Sequence, residues 1–125
     1  MPKVLSQVCD TIMNTRGDLL TDQNKNPITG LSSGCWSDIS ARDKFSLHII
    51  IPTGTTVQIR GSNEPNPADN TDGIDLVAAG LTNLAVNTVI NATTMITFKH
   101  PMKWLKVMVT IFAGGGPLHA YLEGV

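Results

Sequence analysis

Cys35 stands in Ser32-Ser33-Gly34-Cys35-Trp36 and His119 in Leu118-His119-Ala120-Tyr121. A thiol with an imidazole base is the pairing that cysteine hydrolases use, and His100 is a second choice of base. That chemistry needs the thiolate at the N-terminus of a substantial helix. The residues after Trp36 support at most one helical turn within Ser37 to Lys44, capped by Ser37, before a strand begins. The plainer reading is a structural cysteine packed beside Trp36.

The three histidines, His48, His100 and His119, form no i, i+2 or i, i+4 pair. A zinc site would therefore depend on the tertiary fold to bring them together. Asp69-Asn70-Thr71-Asp72-Gly73-Ile74-Asp75 gathers oxygens and a glycine as calcium loops do. Thr71 stands where an EF-hand requires Asp or Asn, and no bidentate Glu follows at the right distance. No Walker motif, GxGxxG or GxSxG is present. Gly114-Gly115-Gly116 precedes a strand, so it lacks the helix N-terminus that holds phosphate. Most acids lie in loops, Glu123 excepted, which disfavours a pair of catalytic carboxylates. Aromatic residues make up 5% of the chain, leaving few rings for a sugar platform. An adhesion or carbohydrate-binding module would use the loop Ser62 to Gly73 with Trp36 or Tyr121. No catalytic, cofactor-binding or metal-ligating residue is assigned, and the chain reads as non-enzymatic.

The elements that would position these residues are strands. Phe45, Leu47, Ile49 and Ile51 recur with period two, and Thr56-Val57-Gln58-Ile59-Arg60 alternates after the turn Pro52-Thr53-Gly54-Thr55. The two runs read as an antiparallel hairpin. Ser62 to Gly73, with Pro65 and Pro67, reads as a surface loop. Ile74 to Ala79 and Val86 to Ile90 are short apolar stretches, and Thr93 to Phe98 is β-branched enough for a strand. Leu105, Val107, Val109 and Ile111 share one face of a further strand, and Trp104, Met108 and Phe112 share the other. A final hairpin turns at Gly114-Gly115-Gly116-Pro117 and pins the C-terminus in a sheet.

Trp104, Met108 and Phe112 therefore form a candidate interface stripe, covered either by the N-terminal segment or by another subunit. His48 and Ile50, and likewise His119 and Tyr121, fall opposite the apolar stripes of their strands and join the candidate interface. Short strands with turn signals between them predict an all-β fold, an antiparallel two-sheet sandwich of jelly-roll-like type. Residues 1–30 read as an N-terminal arm or short helix, and 31–125 as the sandwich domain.

The length of 125 residues suits one compact core. Nine Lys and Arg against ten Asp and Glu give a net charge of −1, without the field that nonspecific nucleic-acid binders use. No apolar run is long enough to span a bilayer, and Met1 to Val8 lacks the apolar core of a signal peptide. Neither nucleic acid nor membrane is expected as a partner. Two cysteines, Cys9 and Cys35, are too few for a disulfide scaffold, and the default reading is reduced thiols in a cytoplasm. A charged fraction of 15% suggests a surface partly buried against another subunit.

Phe45-Ser46-Leu47-His48-Ile49-Ile50-Ile51-Pro52-Thr53-Gly54, Val57-Gln58-Ile59-Arg60-Gly61-Ser62-Asn63, Lys103-Trp104-Leu105-Lys106-Val107-Met108-Val109-Thr110 and Gly114-Gly115-Gly116-Pro117-Leu118 together carry a resemblance. The stretch from Phe45 to Val125 resembles the small β-sandwich decoration or cement proteins of tailed bacteriophages. The resemblance implies a dimer or trimer made in the host cytoplasm, placed on the capsid exterior, that clamps adjacent major capsid proteins. It brings no catalytic or ligand motif, and it does not extend to the N-terminal part.

Overall fold

The computed structural model describes residues 8–10, 16–21, 26–32, 34–40, 43–64, 73–99 and 102–124. Their strands are β1 (Val8–Asp10), β2 (Arg16–Asp18), β3 (Trp36–Asp38), β4 (Phe45–Ile50), β5 (Thr56–Ser62), β6 (Ile74–Asp75), β7 (Thr94–Phe98), β8 (Trp104–Ile111) and β9 (His119–Gly124). No described residue is helical. One sheet has the order β1-β3-β8-β5-β6 and the other β2-β9-β4-β7. Every pairing is antiparallel except the parallel pair β1 and β3.

The all-β two-sheet sandwich is the fold. From β2 to β9 each successive strand changes sheet, apart from β5 and β6, which lie side by side. That alternation is the jelly roll, with β1 added at one edge.

Period-two patterning produces this arrangement because each strand turns one face inward. Leu47 and Ile49 on β4, Ile96 on β7 and Ala120 on β9 meet Ile59 on β5 and Leu105 and Val107 on β8 between the sheets. All are fully buried. Side chains from two such inner faces interdigitate to form the core of a sandwich.

Two expected hairpins are absent. β4 and β5 lie in different sheets, β5 pairing with β8, and β8 and β9 are likewise separated. A strand facing its predecessor across the core shows the same inward alternation as one lying beside it, so periodicity does not tell the two apart. A strand stands where the helical turn was expected to be capped, at Ser37, and residues 41–42 of the expected turn lie outside the described residues. β3 occupies Trp36–Asp38, and Asp38 Oδ1 accepts hydrogen bonds from Ser40 N at 2.9 Å and Ser40 Oγ at 2.6 Å, closing an Asx turn.

The boundary expected at residue 30 falls inside the sandwich. β2 pairs with β9, and Leu19 and Leu20 are buried in the shared core. Residues 1–7 and 11–15, where an arm or helix was expected, lie outside the described residues.

The outer face of the first sheet carries a further packed layer. Trp104 and Met108, on the stripe expected to be covered by the N-terminal segment or by another subunit, are buried within the chain, as are Trp36 and Lys106. Lys106 Nζ lies 4.6 Å from the centroid of the Trp36 ring, a cation–π contact, and Trp104 Nε1 donates to Glu64 O at 3.1 Å. Thr56 pairs with Ile111 but Val57 with Val109, so Thr110 is an extra residue, a β-bulge in β8 that breaks the alternation there. Ile111, expected inside, is exposed beyond it, beside the exposed Phe112. The three-residue stripe is therefore not one open surface.

At the free edge of the second sheet, Asn83 clips onto β7. Asn83 N donates to Thr97 O at 3.0 Å, and Thr97 N donates to Asn83 Oδ1 at 2.9 Å.

Candidate functional site: the outer face of the second sheet

Alternate residues of the second sheet point away from the core, and register sets which of them become neighbours. His48 lies opposite Met95 on β7 and opposite Tyr121 on β9. Tyr121 in turn lies opposite Asp18 on β2. Ile50 faces His119 in the adjoining row, and Ser46 lies between Thr97 and Glu123 on the other side. The four residues expected from sequence on this face, His48, Ile50, His119 and Tyr121, are thus brought together. Met95 and Tyr121 are about half exposed, at 50% and 45%, so two large side chains flanking His48 are open to solvent.

His119 is the most constrained member. Its Nδ1 lies 2.7 Å from Asp18 Oδ2, and its ring stacks on Tyr121 with centroids 5.1 Å apart and planes inclined by 14°. The second carboxylate oxygen, Asp18 Oδ1, accepts hydrogen bonds from Ala120 N at 2.9 Å and Leu20 N at 3.0 Å. Asp18 therefore stitches β2 to β9 through both backbone and side chain. Ser46 Oγ lies 3.1 Å from Met95 Sδ.

Other candidates are not assembled in this way. Cys35 is disulfide-bonded, against the reduced thiol expected, and the chain's other cysteine is Cys9 on β1. Cys35 precedes β3 in the first sheet and His119 belongs to the second, so the thiol and imidazole considered for hydrolysis are not paired. Of the two rings considered for a sugar, Trp36 is fully buried and Tyr121 is open. Most of the calcium-like run, Asp69 to Asp72, and His100 lie outside the described residues. Asp75, at the end of that run, caps a turn by accepting from Val77 N and Ala78 N. Among the described residues no group of three or more His, Cys, Asp or Glu is placed to hold a metal.

Two residues of this face were missed from sequence. Met95 was recoverable, since alternation through Thr94–Phe98 sends it outward with Thr97. Asp18 had no local signal, because its contact with His119 spans 101 residues of chain and exists only through the pairing of β2 with β9. No protein-family model, curated protein or solved structure matches the chain.

Proposed function

We propose that the protein is a non-enzymatic virion structural subunit of the decoration or cement class, which self-associates as a dimer or trimer and bridges major capsid subunits. The observation that carries this reading is the row on the second sheet in which the exposed Met95 and Tyr121 flank His48 on three adjacent strands, with Ile50 beside them. Apolar and aromatic residues at the centre of a flat patch are what interface cores are made of. The jelly roll is a fold that viral capsid proteins use, alongside lectins and cupins. Virion assignment and capsid partner rest on the sequence resemblance.

The test pairs solution mass with capsid binding. Light scattering should give a dimer or trimer for the native chain and a monomer for Tyr121→Asp or Met95→Asp, with thermal stability little changed because both side chains are exposed. Co-sedimentation with shells of the cognate major capsid protein should be lost in the same variants. A native monomer that does not sediment with any such shell would refute the reading.

A further inference from the structure

We propose that His48 and His119 form a binding site for a divalent transition metal ion of the zinc class on the outer face of the second sheet, with Asp18 as the residue that positions His119. The inference goes beyond the proposed function and stands without it.

β9 lies between β2 and β4. His119 is held from the β2 side by Asp18 Oδ2, 2.7 Å from Nδ1. A carboxylate only accepts, so Nδ1 donates in this contact, and in the neutral form of the ring the free lone pair is on Nε2. This carboxylate–imidazole arrangement is the one that orients metal-ligating histidines and raises their basicity. The ring is further fixed by its stack on Tyr121. The His119 side chain is about one-third exposed, so its ring is reachable from solvent.

His48 supplies the second nitrogen from the other flank. It lies directly across from Tyr121 on β4, which makes it the diagonal neighbour of His119 on the same face. Diagonal neighbours on an antiparallel sheet lie about 7–8 Å apart, within reach of long side chains. Two imidazoles can then approach one ion at the roughly 2.0–2.1 Å that zinc–nitrogen bonds require. Imidazole suits zinc, copper and nickel ions rather than calcium or magnesium. Two protein ligands leave an open site, completed by water or by the equivalent face of a second copy.

Titration of the full chain with Zn²⁺ by calorimetry tests this, alongside His48→Ala, His119→Ala, His100→Ala and Asp18→Asn. The native chain and His100→Ala should bind saturably, and each of the other two histidine variants should weaken binding at least about tenfold. Asp18→Asn keeps an Oδ1 acceptor for Leu20 and Ala120 but presents an amide to Nδ1. It should weaken binding by about 10–100-fold, the usual effect of losing such a partner, with the melting temperature little changed. Should that variant unfold, the two histidine variants carry the test alone. One ion per chain or one per two chains both support the site and report how it is completed. No saturable binding by the native chain, or undiminished binding by His48→Ala and His119→Ala, overturns it.

Discussion

At the scale of single residues, Asp38 shows how opposing influences resolve. Its burial raises the carboxyl pKa, but hydrogen bonds from Lys103 and from the Ser40 hydroxyl and amide, with the charge of Lys103, outweigh burial and hold it below the ordinary carboxylate value. Lys103 Nζ lies 2.8 Å from Asp38 Oδ2. The unfolded chain therefore binds this proton more tightly than the folded one. The stabilisation is complete above the unfolded pKa and is lost as pH falls through the folded value. Asp38→Asn should melt lower than the native chain near neutrality and show a shallower decline on acidification from about pH 5 to 2. Thermal unfolding followed by circular dichroism across that range checks it, and equal slopes for the two proteins would refute the assignment. Lys103 is substantially exposed, so added salt should narrow the difference.

Among the elements, strand backbones impose demands that no side chain reports. Gly34, just before β3, has φ +74°, and a Cβ there would lie 2.6 Å from Val107 O. Gly115, in the turn before β9, has the same φ but no heavy atom within 4 Å of such a Cβ. Gly115→Ala should cost about 1–2 kcal/mol of left-handed strain, and Gly34→Ala distinctly more because β8 must also yield. Urea unfolding of the two variants measures the difference, and equal losses would contradict the close approach. β4, β7, β8 and β9 were legible in the sequence because each presents one apolar face to the core. Their neighbours were not, since inward alternation on β4 and β5 fits a hairpin and a face-to-face pair equally. The layer around Trp36, Trp104 and Lys106 was hidden for a related reason. A lysine over an indole reads as the exposed side of a strand until the residues that cover it are in place. Among candidate interface residues, those on β4 and β9 were recoverable by counting in twos, while Asp18 required knowing which strand lay at the edge.

For the whole molecule, one core joins both sheets, and its loss should be felt globally. Leu47 is fully buried at the centre of the second sheet, and Leu47→Ala should cost about 2–5 kcal/mol in cooperative unfolding. Cys35 is disulfide-bonded in the folded chain, and no free cysteine is found among the described residues. Thiol titration of the native protein should find none, and reduction should lower stability by about 2–4 kcal/mol; detection of free thiols in the native state would refute this. Such a covalent staple is characteristic of proteins that work in oxidising surroundings. The clip of Asn83 on Thr97 bears on what kind of growth this molecule permits. A bare sheet edge accepts another strand, then another, and such addition has no natural end. With Thr97 already satisfied on both its amide and its carbonyl, that position on β7 is closed to a newcomer. Under the proposed self-association, copies that meet through the broad face of the sheet instead can form closed sets of fixed number, which the clip leaves as the route at that edge position.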